Sequence, residues 1–167
     1  DPYGLAALAD GSIAFSEPFQ HRVRVVSPDG RVRLLAGTGT PGASGDGGLA
    51  TAAQLCDPRF LAPLPNGSLL VGEWGCDGAP ARLRSISAQG KIATLAGGVA
   101  APKDDEPVGD GAASAIPLFV PTGILPQGDG TILFGNGDSI RRLTLPYPGA
   151  SAKEISLTSS DGSEIFV

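Results

Sequence analysis

One stretch carries the strand pattern of the chain: Asp10-Gly11-Ser12-Ile13-Ala14-Phe15, then Arg22-Val23-Arg24-Val25, then Pro28-Asp29-Gly30 followed by Arg31-Val32-Arg33-Leu34-Leu35-Ala36. In its middle segment Arg and Val alternate, and alternation at period two places Arg on one face of a strand and Val on the other. Asp-Gly and Pro-Asp-Gly are turn sequences. The stretch therefore predicts antiparallel strands joined by tight turns.

The pattern recurs twice more. The units open on Asp1-Pro2-Tyr3-Gly4-Leu5, Asp57-Pro58-Arg59-Phe60-Leu61 and Val120-Pro121-Thr122-Gly123-Ile124, and each opening is followed by a turn and a β-rich run. Arg82-Leu83-Arg84 and Ile140-Arg141-Arg142-Leu143 repeat the third strand. Four strands per unit make a β-propeller blade. The predicted fold is all-β, with four-stranded antiparallel blades at about 1–55, 56–118 and 119–158 and the start of a further strand at 161–167.

Two long connections separate the units, built on Gly45-Asp46-Gly47-Gly48 and Gly109-Asp110-Gly111-Ala112. The first continues into Leu49-Ala50-Thr51-Ala52-Ala53-Gln54-Leu55, which has no β-branched run. We expect one helical turn there, packed by its Leu residues.

Composition restricts the class of partner. The chain has 167 residues, a net charge of −5 and 12 Lys and Arg in total, which are scattered, so we expect no nucleic-acid partner. No apolar run reaches the roughly 20 residues that span a bilayer, so we expect no membrane insertion. The start, Asp1-Pro2-Tyr3-Gly4, is neither an initiator Met nor a signal peptide, and we expect a mature or excised piece of a larger protein.

The repeat resembles the NHL repeat, in the long-linker form of teneurins and bacterial Rhs (YD-repeat) proteins. The resemblance rests on Gln20-His21-Arg22-Val23-Arg24 and on Leu35-Ala36-Gly37-Thr38-Gly39 with the later Gly45 to Leu55 segment. It gives His21, Arg22, Asp46 and Gly47 the role of structural repeat-motif residues. It also implies a six-bladed or similar propeller, of which this chain is a part, in a secreted, periplasmic or cell-surface protein.

Cys56 and Cys76 flank the hairpin turn at Pro65-Asn66-Gly67, ten residues before and ten after Asn66. Antiparallel pairing brings them opposite each other, within the separation that a disulfide needs. We predict a disulfide, which implies an oxidising compartment.

His21 is the single histidine, and it could act as a general base or ligand. We favour a turn-organising role, because no nucleophile accompanies it in a triad and no G-x-S-x-G elbow occurs. Asp104, Asp105, Glu106 and Asp110 could bind a hard cation such as Ca²⁺, but EF-hand spacing is missing, so we expect no metal and no cofactor.

Two further sets are candidates for binding. Arg24, Arg84 and Arg141 could present a ring of donors to an anionic ligand, although outward-facing arginines on outer strands are the default expectation. Trp74 and Tyr147 could be exposed anchors for a partner, or could fill a gap between blades.

These observations predict a non-catalytic binding or scaffolding module that contacts a protein or glycan ligand. The alternative is a fragment of a metal-dependent propeller lyase or lactonase, and such enzymes hold a metal with His and acidic ligands from several blades. His21 alone would require ligands from outside the chain. Because closed propellers have typically 4–8 blades, we also expect the parent polypeptide, a second copy or a partner chain to complete an open arc of about three.

Overall fold

Three antiparallel sheets follow one another along the chain in a computed structural model, which describes residues 1–100, 111–127, 130–137, 139–145 and 156–159. Each sheet begins with strands in sequential order, so most neighbouring strands in a sheet also follow one another along the chain. The alternation read from the sequence forms these strands because one face of each can be buried at every second residue. The predicted further strand at 161–167 lies outside the described residues.

The first sheet has the order β1-β2-β3-β4. Its strands are Leu5–Ala7 (β1), Ile13–Glu17 (β2), Arg22–Val26 (β3) and Val32–Ala36 (β4). A short 3₁₀ helix, Pro18–Gln20, connects β2 to β3.

The second sheet repeats that arrangement with β5 (Pro58–Pro63), β6 (Leu69–Glu73), β7 (Arg82–Ile86) and β8 (Ile92–Gly97). Even the irregularities recur, since β3 and β4 change register at Val23/Arg24 and β7 and β8 do so at Leu83/Arg84. The two units are therefore equivalent position by position.

The third sheet differs in its outer part. It contains β10 (Pro121–Pro126), β11 (Thr131–Asn136), β12 (Ser139–Thr144) and β13 (Ser156–Ser159), and β13 pairs with β9 (Gly111–Ala112) from the preceding connection. Its last strand ends one residue beyond the predicted limit of 158, and β9 lies in the range assigned to the second blade. The exact blade boundaries stay predictions.

Two apolar cores lie between neighbouring sheets. One joins small residues of the first sheet to larger residues of the second, including Ala14 and Val25 with Val71 and Ile92. The other joins the opposite face of the second sheet to the third, including Leu70 and Leu83 with Phe134 and Leu143. Burying both faces of the middle sheet is the packing expected of stacked blades.

The connection after β4 contains the expected helical turn, a 3₁₀ helix at Ala50–Ala52. Ala50, Ala53 and Leu55 are buried, which confirms that the segment packs inward. Leu49 is 59% exposed, so the expectation that both Leu residues pack the turn is wrong for Leu49.

The predicted disulfide is present between Cys56 and Cys76, whose Cα atoms are 5.6 Å apart. The two cysteines lie just beyond the ends of β5 and β6, where Gly75 N–H donates to the Cys56 carbonyl at 3.3 Å. The bridge therefore closes the open end of the β5–β6 hairpin. None of the helices in the described part of the chain has the length and apolar character needed to cross a membrane.

Candidate functional site

A buried ion-pair network lies at the seam between the first and second sheets, centred on Arg84 of β7. The Arg84 side chain is fully buried, and its guanidinium donates to Asp46 Oδ1 at 2.5 Å. It also donates to two backbone carbonyls of the same connection, those of Gln54 at 2.8 Å and Ser44 at 3.2 Å. Arg84 thus fastens the connection after the first sheet onto the second sheet.

Glu73, at the end of β6, is the second buried charge of this network. Its side chain is 0% exposed, and its carboxylate lies 3.5 Å from Arg84 Nη1 and 3.9 Å from Arg82 Nε. The Cys56 backbone N–H donates to Glu73 Oε2 at 3.2 Å. Burial raises the pKa of Glu73 to about 7, although both arginines favour its charged form. Glu73 thus places a buried carboxyl group between two arginines at the seam.

Asp46 and Gly47, two of the predicted repeat-motif residues, hold the connection in place. Burial opposes the charge of Asp46, but the neighbouring Thr94 and Arg84 side chains outweigh that cost and lower its pKa. The Gly47 N–H donates to the Ile92 carbonyl at 2.8 Å, and Ile92 N–H donates back to Gly48 at 3.1 Å. The motif therefore adds main-chain hydrogen bonds along β8 to the ion pair.

The expectation that the candidate arginines face solvent is wrong for two of the three. Arg84 is 0% exposed and Arg141 is 5% exposed, because each lies on the face of its blade that the preceding blade covers. The Arg24 side chain is 33% exposed. Arg84 donates to protein acceptors throughout, so it is not available to an anionic ligand.

Arg22 and Arg24 share the carboxylate of Glu17, the counterpart of Glu73 in the first sheet. Glu17 accepts from Arg22 Nε at 2.5 Å and from Arg24 Nη2 at 2.7 Å. Burial opposes the charge of Glu17, but the hydrogen bonds from Arg24 and Arg22 outweigh it and lower its pKa. Sequence reasoning missed both glutamates, although a Glu ends the second strand of each of the first two units, and that recurrence could have identified them.

His21 lies at the turn between the 3₁₀ helix and β3, where the resemblance places a turn residue. Its φ is 49°, and Asp57, which opens the second unit, has φ 53°. The Asp57 N–H donates to His21 Nδ1 at 3.3 Å. Left-handed φ values are uncommon outside Gly, and here one hydrogen bond joins two of them across the seam.

An aromatic cluster lies beside His21 and Asp57, at or near one end of β1, β5 and β6. The Arg59 guanidinium lies 3.7 Å from the centre of the Trp74 ring and 5.1 Å from that of Tyr3. Phe60 meets Tyr3 edge to face at 5.7 Å. The single Nε–H of Arg59 is shared between the two carboxylate oxygens of Asp57, each 3.1 Å from Nε. Burial opposes the charge of Arg59, but Asp57 outweighs it and raises the pKa of Arg59. We call Tyr3, Arg59, Phe60 and Trp74 the aromatic cluster.

Trp74 both fills space between blades and reaches the surface. Its Nε1–H donates to the Pro121 carbonyl at 3.0 Å, which ties the second sheet to the third, and the residue is half-buried. Tyr3 is 53% exposed. The cluster therefore offers an aromatic surface that is held rigidly from three blades.

The remaining candidates are the acidic cluster and one tyrosine. Asp104, Asp105, Glu106, Asp110 and Tyr147 lie outside the described residues. Among the residues that are described, no group of three or more His, Cys, Asp or Glu side chains could hold a metal ion.

Comparisons with known proteins assign the fold. No protein-family model matches the sequence, and no curated protein matches it. A structural genomics protein of unknown function from Bacteroides thetaiotaomicron VPI-5482 is 24% identical with a TM-score of 0.67, over 84% of this chain and 34% of that chain. A streptogramin B lyase is 20% identical with a TM-score of 0.57, over 86% of this chain and 37% of that chain.

A chain of the nidogen/laminin complex is 18% identical with a TM-score of 0.55, over 86% of this chain and 44% of that chain. The chain thus spans less than half the length of these structures. The similar structures are β-propeller proteins, and the predicted propeller fold is confirmed.

Proposed function

We propose that this chain is a non-catalytic binding and scaffolding segment of a β-propeller in a larger secreted or surface protein. Its ligand-contacting surface is the aromatic cluster. The observation that carries the proposal is the position of Arg59, which lies against the rings of Trp74 and half-exposed Tyr3. Trp, Tyr and Arg are the residues that contribute most binding energy at protein interfaces.

Rigidity favours a binding role for this surface. Arg59 is fixed by Asp57, and Trp74 is fixed by the Pro121 carbonyl, so neither side chain loses much conformational freedom when a partner binds. The ligand we propose is a protein, and adhesion through a glycan is the second form of the same function.

The repeat motif and the disulfide favour a particular type of propeller and a particular location. His21, Asp46 and Gly47 make contacts that join the first blade and its connection to the second, and Arg22 pairs with Glu17 within the first blade. These roles support an NHL propeller of the teneurin or Rhs type. The Cys56–Cys76 disulfide favours an oxidising location such as the cell surface, the periplasm or the extracellular space.

The test uses Trp74, the single tryptophan, as an intrinsic reporter. The chain is screened against arrays of extracellular protein domains and of glycans, and each hit is titrated by Trp74 fluorescence. We expect a protein hit that changes the Trp74 emission and that Tyr3→Ala weakens at least about tenfold. Phe19→Ser is the matched control, because Phe19 is 75% exposed and is not in the cluster. Equal binding by Tyr3→Ala and the parent chain would refute the assignment of this surface.

The competing function, a fragment of a metal-dependent propeller enzyme, is tested on the same preparation. Metal analysis of the purified chain and turnover assays on ester, lactone and nucleotide panels address it directly. We expect no tightly held cation in full complement and no turnover. Turnover that is lost in His21→Ala would establish the enzyme in place of the binding module.

A further inference from the structure

The outer face of the first sheet matches a face that is covered in the second sheet. The register aligns Phe15 and Arg24 with Val71 and Arg84, since each pair lies opposite on the second and third strands of its sheet. Val32 corresponds to Ile92 by the same register. This equivalence allows each exposed position of the first sheet to be compared with a covered one.

The comparison shows which positions lack a cover. Ile92 is 0% exposed beneath the preceding blade, whereas Val32 is 51% exposed. Leu69 is 3% exposed, whereas its counterpart Ile13 is 44% exposed. The uncovered face of the first sheet is formed by Leu5, Ile13, Phe15, Val32, Leu34 and Arg24, and we call it the leading face.

Arg24, on the leading face, lacks the hydrogen-bond acceptors that its counterpart Arg84 has. Arg84, its counterpart, donates to the Asp46 carboxylate and to two carbonyls of the connection that covers it. Arg24 donates to Glu17 only through Nη2, and its Nε is buried without a hydrogen-bond partner. A buried donor of this kind costs free energy until an acceptor reaches it. Leucine, isoleucine and valine beside it would favour an apolar surface around that acceptor.

We propose that the leading face binds one further blade unit of the same repeat, and that an Asp of that unit's Gly-Asp-Gly connection pairs with Arg24. This further blade unit has a face of small residues equivalent to Ala6, Ala14 and Val25, and that face packs against the leading face. The inference rests on the blade architecture and goes beyond the proposed binding function. The ligand surface at Tyr3 and Trp74 is assayed separately, so failure of either proposal leaves the other intact.

The chain itself supplies a probe with this chemistry. A tandem protein carries residues 1–56, with Cys56→Ser, directly before the full 167-residue chain, so that the added connection leads into Asp1 as the native one leads into Asp57. In this tandem the added Asp46 is expected to reach Arg24 of the resident unit. Val32→Cys in the resident unit reports whether the leading face is covered.

Two readouts decide the proposal. The resident Val32→Cys thiol should react with a water-soluble maleimide at least about tenfold more slowly in the tandem than in the single chain, as burial of the site requires. Asp46→Asn in the added unit should raise the tandem's unfolding equilibrium constant about tenfold, because contacting charges couple by factors of about 2 to 150. Arg24→Met in the resident unit should abolish that difference, since it removes the partner of the added Asp46.

Three results would overturn the proposal. The thiol could stay equally reactive, the effect of Asp46→Asn could be the same with and without Arg24, or the tandem could show less β structure by circular dichroism than the single chain. The oligomeric state of the single chain, measured by sedimentation, tests the other possible partner. A dimer that Arg24→Met dissociates would assign the leading face to a second copy and would overturn the proposal.

Discussion

Replacing Arg84 with Met should destabilise the chain more than any surface charge substitution. The substitution removes the donor to Asp46 and to two carbonyls of the connection, and it leaves Glu73 fully buried with Arg82 Nε 3.9 Å away. Breaking a buried ion pair by removing one partner costs about 3–5 kcal/mol. Domains of ordinary stability have about 5–15 kcal/mol in total, so Arg84→Met should shift the urea midpoint by a large fraction or unfold the chain.

Two further variants separate the ion pair from general damage to the core. Arg31→Met is the control, because the Arg31 and Asp29 side chains are 88% and 55% exposed and their 3.4 Å pair should be worth less than about 0.5 kcal/mol. Glu73→Gln combined with Arg84→Met removes a carboxyl group that must otherwise be buried as an unpaired charge or take up a proton on folding, and it should recover more than about 1 kcal/mol.

Urea unfolding followed by circular dichroism measures all four proteins. A loss below about 1 kcal/mol in Arg84→Met would refute the reasoning, since a fully buried guanidinium with these acceptors cannot then be holding the seam. A double variant no more stable than Arg84→Met would refute the part that concerns Glu73, and the loss would then arise from the missing guanidinium contacts alone.

Three other outcomes follow from the same structure. Burial raises the pKa of Glu73 to about 7 from an ordinary 4.5, so between these pH values the folded state keeps a proton that the unfolded state loses. The unfolding free energy should therefore fall by up to about 3 kcal/mol as the pH rises from 4.5 to 7. Glu73→Gln should flatten this pH dependence in urea unfolding measured at a series of pH values. Cys76→Ser should cost about 3 kcal/mol, and alkylation without reductant, followed by mass measurement, should label no cysteine of the parent chain. Gly37→Ala would place a Cβ 2.3 Å from the His21 carbonyl oxygen at φ +91°, whereas Gly47→Ala, at φ +81°, meets open space. The Gly47 variant should cost about 1–2 kcal/mol and the Gly37 variant clearly more; equal thermal midpoints would contradict the close approach.

Local sequence patterns predicted what depends on neighbours along the chain. The Asp10-Gly11 and Asn66-Gly67 turns form as expected, with Ser12 and Ser68 N–H groups donating to the side chains of Asp10 and Asn66. The hairpin around the Asn66-Gly67 turn also brings Cys56 and Cys76 close together, so the disulfide was predictable. Each of these features is decided within about twenty residues.

The burial of Arg84 was not predictable in the same way. Alternation in β7 shows that Arg and Leu lie on opposite faces, but it does not show whether the Arg face meets water or another blade. That depends on a connection 38 residues earlier in the chain, where Asp46 lies. The third sheet shows a similar limit, since β9 joins β13 and pairs Ala112 with Ser156, which no local pattern marks.

The two kinds of contact at a seam have different consequences for how blades assemble. Apolar burial between Val25 and Val71 is non-directional, and it would tolerate small shifts of one blade against the next. The Arg84 guanidinium is directional, because its planar donors meet one carboxylate and two carbonyls at fixed positions on the connection. We infer that the apolar faces supply most of the adhesion between blades and that the arginine selects a single register. Since the connection precedes the blade that it fastens, the ion pair also gives this seam a direction: the second unit receives Asp46 of the first, and Arg24 is the equivalent group of the first unit.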